Sequence, residues 1–407
     1  MVSRVGAGDG IVVTGLGAIT PIGSDVASTW SAMLAGRSGI SEIREDWAGK
    51  LPVRIAGMLK TMPALYFDHV RAGRMGRREQ IAVIAAREAW EDAGAPGADP
   101  ERIAVVIGTA VGGAQTLLAQ DDVLEVSGAR HASPHGAPKM TASGPAAYVS
   151  MDLGARGGAP ASPCASGAEA IALGMDLLLT GNADIVVAGG AEACITPIAI
   201  AGFGQAGVLS RRNEAPERAS RPFDLHRDGF VLGEGSAMMV LERAGSAAAR
   251  GLRPYARLAG AGVTSDAHDM TARIVAGQVE AIRLALRASG ISGSDIQHVH
   301  AHATSAQTGD LTEAMAIEAA IGRHPAVTAT KSITGHLFGA SGALGALAGV
   351  LATRNQVIPG TQNIETTDPR ISLDIVKGQP RAAKISAALT NSFGFGGCNV
   401  SLVFTSK

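Results

Sequence analysis

Aromatic residues, cysteines and net charge are all scarce in this sequence of 407 residues. Three cysteines are too few for a disulfide framework, so we expect a protein of a reducing compartment, the cytoplasm. A net charge of −1 argues against nucleic acid as a bulk electrostatic partner. Aromatic residues make up only 3% of the chain, whereas there are 53 glycines. The core must therefore pack small residues closely, as layers of helix on sheet do.

A long apolar run is also missing. The longest uncharged stretch, residues 336–353, is shorter than the ~20 apolar residues that span a membrane. Because this stretch is rich in Gly and Ala, we interpret it as a buried helix. Residues 1–10 are polar and lead directly into a strand, so we expect no secretory signal peptide.

The order of elements in the first part of the sequence is repeated in the second. An apolar helix, a glycine and a buried strand occur at residues 81–108 and again at 282–304. We therefore predict an α/β protein of two similar halves, residues 1–250 and 251–407, with mainly parallel sheets covered by helices. Ligands of such sheets bind beyond the carboxyl ends of the strands. Residues 36–78 and 134–145 are expected to be irregular.

Cys164 stands among small residues in Ala161-Ser-Pro-Cys-Ala-Ser-Gly, just before a predicted helix at 168–179. The positive end of a helix favours a thiolate, which is a nucleophile. A buried, inert cysteine is the alternative, and we interpret Cys194 in that way.

Histidines follow two other predicted strands. His336 precedes a helix, whose positive end favours a neutral imidazole that donates a hydrogen bond. Together with His302 it could stabilise an oxyanion near Cys164. The run His298-Val-His-Ala-His302 could instead bind a metal. We expect no metal, because no second cluster of ligands follows; one histidine would cap the strand at the surface and another would fill a polar niche.

Two further motifs suggest roles around these histidines. Lys331 could pair with Glu313 or Asp310, either to support the site or as a structural ion pair. Phe393 and Phe395 lie between glycines in Asn391-Ser-Phe-Gly-Phe-Gly-Gly. The glycines permit a hinge and the rings could close a pocket, although a plain glycine-rich turn is the alternative.

In combination these motifs resemble the β-ketoacyl-[acyl carrier protein] synthases, the condensing enzymes of type II fatty acid elongation. The resemblance extends from Ile11 to Phe404. The matching motifs are Cys164-Ala-Ser-Gly, residues 221–235 (Arg-Pro-Phe-Asp-Leu-His-Arg-Asp-Gly-Phe-Val-Leu-Gly-Glu-Gly), His302 with Thr304 and Gly309-Asp310, residues 331–342, and residues 391–397.

The resemblance implies a thiolase-like αβαβα fold, an acyltransferase activity and an acyl carrier protein as partner. Cys164 would take the acyl group, and the backbone N–H groups of Cys164 and Phe395 would form the oxyanion hole. His302 and His336 would stabilise the enolate formed when malonyl-carrier loses CO2. Three further roles are implied. Lys331, Glu313 and Asp310 would support the histidines, Thr304 would bind substrate, and Phe393 and Phe395 would gate the entry of the acyl group.

The resemblance also implies that no cofactor is needed, since the substrates are carried on the 4′-phosphopantetheine of the carrier. A homodimer is expected, and a heterodimer with a chain-length subunit is the alternative. Several arginines could attract an acidic carrier: Arg71, Arg74, Arg77, Arg78, Arg211 and Arg212. The alternative is that they are scattered, solvated side chains.

Several positions depart from the family pattern. Pro163 fixes φ and removes an N–H beside the nucleophile, Ala303 replaces a usual Gly, and Ala306 replaces a usual Thr. Val111 and Gly136 are small for their positions, which predicts a wide or deep acyl pocket.

Three alternatives stay open. In a thiolase, Cys398 would serve as acid and base. A ketosynthase subunit of a type II polyketide or polyene assembly would share the chemistry with a chain-length partner. A catalytically silent subunit is disfavoured, because Cys164 is retained.

Overall fold

The computed structural model describes residues 10–157, 166–268 and 274–406. Its strands are β1 (Ile11–Ile19), β2 (Ile40–Glu42), β3 (Ile55–Gly57), β4 (Ile103–Gly108), β5 (Ile185–Glu192), β6 (Gly235–Arg243), β7 (Ala256–Ser265), β8 (His298–His300), β9 (Ala326–Thr328), β10 (Val357–Ile358), β11 (Asp374–Ile375), β12 (Arg381–Ala382), β13 (Ala387–Phe393) and β14 (Cys398–Thr405).

The α-helices are α1 (Val26–Leu34), α2 (His69–Arg74), α3 (Arg77–Asp92), α4 (Ala114–Ser127), α5 (Gly136–Met140), α6 (Gly144–Leu153), α7 (Ser166–Leu179), α8 (Pro197–Gln205), α9 (Ala244–Ala249), α10 (Val275–Ser289), α11 (Gln307–Ala320), α12 (Lys331–Thr334) and α13 (Ser341–Asn355). Short 3-10 turns include Phe338–Ala340 and Phe395–Gly397. No helix in the described ranges is both long and apolar enough to cross a bilayer.

One large sheet, in the order β11-β9-β8-β13-β14-β7-β1-β6-β5-β4, organises the molecule. Strands β1 and β7 pair at its centre, and an arm extends on each side: β6, β5 and β4 on one, β14, β13 and β8 on the other. In both arms the first two pairings are antiparallel and the third is parallel. This order supports two similar halves, although the boundary at residue 250 stays a prediction.

The prediction of mainly parallel sheets was wrong, because the strands nearest the centre run antiparallel. Parallel neighbours need a crossover of a dozen or more residues. Strands β13 and β14 are joined only by Gly394–Gly397 and therefore form an antiparallel hairpin.

Helices α7 and α13 pack against each other and against strands of both arms, which produces the layered arrangement. Every residue of α13 from Ser341 to Thr353 is buried, so the expected buried helix is confirmed. Glycines allow this close approach: a Cβ on Gly342 would lie 2.7 Å from the backbone nitrogen of Ala168. The small-residue composition therefore serves the contact between the two central helices.

Two segments expected to be irregular contain regular elements. Residues 36–78 include β2, β3 and α2, and residues 134–145 include α5 and the start of α6. Helix α3 begins at Arg77, earlier than predicted, and buries Arg78 and Glu79 as an ion pair. Polar residues at the start of this helix thus point inward, which reverses the usual pattern of an amphipathic helix.

Candidate active site

His302 lies just beyond strand β8, where a buried carboxylate holds the chain. The backbone N–H groups of His302 and Ala303 donate to the two oxygens of Glu313 over 2.8 and 2.7 Å. The side-chain amide of Asn391, on β13, donates to the same carboxylate over 3.1 Å. Helix α11 and strand β13 therefore together hold the backbone of His302.

His336 follows α12 and Gly335, whose φ of 71° is in the left-handed region that favours glycine. Its N–H donates to the carbonyl of Val231 over 2.8 Å, and its carbonyl accepts from Gly233 over 2.9 Å. These bonds attach the His336 backbone to the segment that leads into β6.

The surroundings of the His336 ring define its tautomer. The Phe338 N–H donates to Nδ1 over 3.3 Å, and the hydroxyl of Ser341 is 2.9 Å from the same atom. That hydroxyl already accepts from the Leu337 N–H, so its own hydrogen is available to Nδ1. Because Nδ1 accepts, the proton of the neutral ring is on Nε2, which can donate a hydrogen bond.

The two imidazoles come together in one cavity of about 730 Å³. The ring centroids of His302 and His336 are 5.4 Å apart and the planes are nearly perpendicular, at 84°. Other predicted residues that line this cavity are Val111, Thr304, Phe393 and Phe395. The structure thus brings together side chains from both halves of the sequence.

Cys164 and Pro163 lie outside the described residues. Helix α7 begins at Ser166, two positions after this cysteine. Cys194 is buried, as expected, and burial raises the pKa of its thiol well above the usual value. Cys398 is half-buried at the start of β14.

Lys331 is buried close to the histidines, and its charge acts on two groups. Burial raises the pKa of Glu313, while the hydrogen bonds from Ala303 and His302 and the charge of Lys331 oppose that rise. Burial and the charge of Lys331 hold the pKa of His300 well below its usual range. The electrostatic coupling of Lys331 to Glu313 agrees with the first of the two predicted pairings.

Asp310 lies in a different setting. It accepts from the Phe223 and Ser305 N–H groups over 2.9 and 3.1 Å, and Arg227 lies 3.6 Å away. This carboxylate therefore joins the chain after His302 to the segment around Arg227.

The histidine run before the site is entirely inside the protein. His300 contacts the Thr330 hydroxyl over 3.0 Å and so fills the polar niche expected for one histidine. No member of the run caps the strand at the surface, because His298, His300 and His302 are all buried. Burial lowers the pKa of His298 to about 3. In the described part of the chain, no group of three or more His, Cys, Asp or Glu could hold a metal.

Sequence reasoning missed Glu192, a fully buried carboxylate at the end of β5. It accepts from the N–H groups of Ala110 and Val111 over 2.6 and 3.2 Å, and from Gly339 over 3.3 Å. Burial raises its pKa and the hydrogen bonds from Ala110 and Val111 oppose the rise. Glu192 thus attaches one wall of the cavity to the turn before α13. The only signal was an acidic residue ending a buried strand.

An aromatic cluster was also missed. Phe203, Phe230 and Phe338 line the cavity, with ring centroids 5.2 to 5.8 Å apart. They come from three separate parts of the sequence, so no local pattern indicated that they meet.

Gly136, predicted to border the pocket, is not among the described residues that line the cavity. It lies in α5, where an added Cβ would face Gln120. Val111, the other small residue, does line the cavity.

The predicted docking arginines differ in exposure. Arg71 is half-exposed and pairs with Asp152, and Arg74 is exposed. Arg212 is half-exposed, 3.5 Å from Asp228, a residue that lines the cavity. The prediction was wrong for Arg78, which is buried against Glu79.

Arg77 is also engaged: it binds both oxygens of Glu234, over 2.7 and 2.6 Å. Arg211, the neighbour of Arg212, is exposed. Of the predicted docking arginines, Arg74 and Arg211 are therefore the exposed ones, whereas Arg71, Arg77 and Arg212 are half-exposed and each paired with a carboxylate.

Comparison with known proteins identifies the family. The family model of the beta-ketoacyl synthase N-terminal domain matches residues 9–247, and that of the C-terminal domain matches residues 255–365. The chain belongs to the beta-ketoacyl synthase family. The predicted family and the predicted class of enzyme, an acyltransferase, are thereby confirmed, and the thiolase alternative loses its support.

Among the relatives of this ketoacyl synthase is 3-oxoacyl-[acyl-carrier-protein] synthase 2 of Synechocystis, 42% identical over 404 residues that cover 97% of each chain. The ishigamide ketosynthase/chain length factor is similar in structure, with a TM-score of 0.90, 32% identity, and coverage of 98% of this chain and 100% of that one.

A second structural relative is a type II PKS acyl-carrier protein in complex with its ketosynthase bound to the hexaketide. The matching chain has a TM-score of 0.89 and 29% identity, with coverage of 98% of this chain and 99% of that chain. These likenesses confirm the predicted thiolase-like layered fold.

Proposed function

We propose that this ketoacyl synthase is a 3-oxoacyl-[acyl carrier protein] synthase that extends an acyl chain with malonyl-carrier. One observation carries the proposal: His302 and His336 face each other 5.4 Å apart in a cavity, and the tautomer of His336 leaves Nε2 as a donor. Two imidazoles this close together can both donate to the oxygen of an enolate.

The first stage uses Cys164. Its sulfur attacks the carbonyl carbon of an acyl thioester, a new C–S bond forms, and the C–S bond to the pantetheine breaks. The pantetheine sulfur leaves as a free thiol, taking up the proton that the Cys164 thiol gives up. The N–H groups of Cys164 and Phe395 stabilise the intermediate oxyanion, while Phe393 and Phe395 gate the entry of the acyl group.

The second stage uses the histidines. In malonyl-carrier the bond to the carboxylate breaks, CO2 leaves, and the electron pair forms an enolate. Hydrogen bonds from His302 and His336 stabilise its oxygen. The enolate carbon attacks the acyl-enzyme carbonyl, releasing the Cys164 thiolate and a 3-ketoacyl carrier. Glu313 and Lys331 position His302, and neither a metal nor a redox cofactor enters the balance.

Separate assays of the two stages test this proposal. Cys164→Ala should form no acyl adduct by intact-protein mass spectrometry and no product. His336→Ala should still form the adduct but lose product formation by about 100- to 1,000-fold, as when an oxyanion donor is removed. Carbon–carbon bond formation that survives Cys164→Ala would contradict the mechanism.

The proposed partner is an acyl carrier protein, which presents substrates on 4′-phosphopantetheine. Carrier proteins are acidic, and Arg71, Arg74 and Arg212 are exposed or half-exposed cations, with Arg212 beside the cavity residue Asp228. Arg212→Glu should raise the KM for the carrier at low salt.

Arg323→Glu is the matched control for docking. Arg323 is an exposed arginine just beyond the carboxyl end of α11, about 20 Å along that helix from the residues at its other end that line the cavity. An equal rise in KM for both variants would count against docking at Arg212. Cytoplasmic location stays part of the proposal.

A second candidate is a ketosynthase subunit that works with a chain-length partner. It is favoured by the likeness to the ishigamide ketosynthase/chain length factor. The purified chain on its own distinguishes the two. An active homodimer supports the elongation enzyme, whereas activity that requires a second, related subunit supports the assembly.

A further inference from the structure

Phe338 lies directly against one of the two histidines. The rings of Phe338 and His336 are stacked, with centroids 4.7 Å apart and planes only 6° from parallel. The Phe338 N–H also donates to Nδ1 of His336. One residue therefore holds this imidazole twice, through its ring and through its backbone.

The same ring belongs to the apolar wall of the cavity. Its centroid is 5.2 Å from that of Phe203 and 5.8 Å from that of Phe230. Val111 lines the cavity together with these rings, whereas Thr304 contributes a polar part. The aromatic part is the natural place for the apolar chain of an acyl group, because aromatic rings bury large apolar areas.

We propose that Phe338 is a positioning residue for His336 and also part of the wall that binds the acyl chain. Through Phe338, the length of the acyl chain would affect the rate of the second stage. This inference rests on the proposed function. A chain long enough to pack against the aromatic cluster confines the Phe338 ring, and the stacked ring then holds the plane of His336. A short acyl group leaves the ring free to move.

The backbone at this residue makes the test feasible. Phe338 has a φ of 45°, an unusual value that a substitution must tolerate. Leu and Tyr are both unbranched at Cβ, as Phe is, so neither adds strain of the kind that a β-branched residue would. Phe338→Leu removes the stack but keeps an apolar side chain, whereas Phe338→Tyr keeps the ring.

The experiment measures the two stages separately in the full-length protein. Butyryl and dodecanoyl groups are loaded from carrier thioesters, and acylation of Cys164 is followed by intact-protein mass spectrometry. Malonyl-carrier is then added, and the release of CO2 and the formation of 3-ketoacyl product are timed. Phe203→Leu is the comparison variant, because Phe203 is in the same cluster but makes no ring contact with His336 within the described residues.

In the unmodified protein we expect decarboxylation to be faster on the dodecanoyl-enzyme than on the butyryl-enzyme. Phe338→Leu should slow the second stage of the dodecanoyl-enzyme by about 2- to 10-fold, which is what a stacked aromatic pair is worth. Acylation by the dodecanoyl group should slow by a smaller factor than the second stage, because Leu keeps an apolar wall, and the dependence of decarboxylation on chain length should disappear. Phe338→Tyr, which keeps the ring, should retain the rate of the second stage and its dependence on chain length.

Phe203→Leu should alter which chain acylates fastest and keep the dependence of decarboxylation on chain length. Equal slowing of both stages in Phe338→Leu, or the same loss in Phe203→Leu, would overturn the inference by showing a general packing role. Absence of any acyl adduct in the unmodified protein would overturn the proposed function and this inference with it.

Discussion

Strands β4 and β8 occupy equivalent places in the two arms of the sheet, and the chain after each is held in the same way. After β4, Glu192 accepts from the N–H groups of Ala110 and Val111; after β8, Glu313 accepts from those of His302 and Ala303. The first pair is apolar and the second carries an imidazole, and residues of both pairs line the cavity. In the proposed function, the same backbone support would serve substrate binding in one half and chemistry in the other.

The two carboxylates come from different elements, however. Glu192 ends strand β5, whereas Glu313 is on helix α11. The repeated order of elements therefore does not extend to the groups that support the site. What the arms share is the need to pair backbone N–H groups at buried strand ends.

Removing the support of His302 should have the largest effect. Glu313→Gln replaces one acceptor oxygen by an NH2 group, which leaves a buried N–H without an acceptor. We expect the rate of condensation to fall by about 10- to 100-fold, while acylation of Cys164 continues. Glu318→Gln, a half-exposed position on the same helix that pairs with Arg323 away from the cavity, should leave both rates unchanged. A loss of acylation equal to that of condensation would show that the two arms are not functionally separate.

Removing the support in the other arm should affect the other stage. Glu192→Gln should slow acylation by a dodecanoyl group about 10-fold, because Ala110 and Val111 lose their acceptor. The control is Glu91→Gln, at an exposed position on α3. If the rate of decarboxylation falls and that of acylation does not, the inference that one arm supports acylation and the other condensation is wrong. Stopped-flow acylation and CO2 release measure the two rates.

The contact between the arms can be tested at the glycines of the central helices. Gly342→Ala places a methyl group 2.7 Å from the Ala168 nitrogen, so unfolding free energy should fall by about 1–3 kcal/mol. Gly202→Ala, in α8, meets no atom within 4 Å and should raise it by about 0.5–1 kcal/mol. Denaturant unfolding measures both. Similar changes in the two variants would rule out a tight helix contact.

A third carboxylate, that of the half-buried Glu88, also accepts from backbone N–H groups, and its effect on stability should be smaller and depend on pH. Glu88 accepts from the N–H groups of Ala18 and Val26, each over 2.8 Å, and burial raises its pKa to about 7 from an ordinary 4.5. Since the folded protein binds this proton more tightly than the unfolded chain, the group stabilises the fold below pH 4.5. That stabilisation is lost as the pH rises to about 7.

Glu88→Gln should therefore flatten the pH dependence of stability between these two values, by about 1–2 kcal/mol, a figure reduced for the solvent that still reaches the side chain. Thermal or urea unfolding at a series of pH values measures the effect. An unchanged slope in the variant would show that Glu88 does not titrate in this range.

Much of the fold could be predicted from local patterns. The buried strand at 103–108 and the helix after residue 340 are strongly apolar or rich in small residues, and they lie where expected. The antiparallel centre was not predicted, because strand direction depends on which strands pair, and residues far apart in the chain decide that.

In the site, the histidines and the support of His302 by Glu313 could be predicted, and the role of Glu192 could not. His302 and His336 stand in recognisable motifs at strand or helix ends, whereas Glu192 reaches Gly339, 147 positions away. Arg78 illustrates the same limit, since a basic residue near other basic residues is usually solvated and this one is buried in an ion pair.

The sequence by itself determined the layered α/β class, the family and the candidate reactive side chains, because these depend on periodicity and on residue types in short motifs. Only the tertiary structure decided how far apart the two imidazoles lie, which backbone N–H groups Glu192 accepts from and which rings surround the imidazoles. The physical reason is that the acceptors bind backbone N–H groups, which nearly every residue has. Because almost any residue can donate such a bond, the sequence of the donating segment does not indicate that the bond is present.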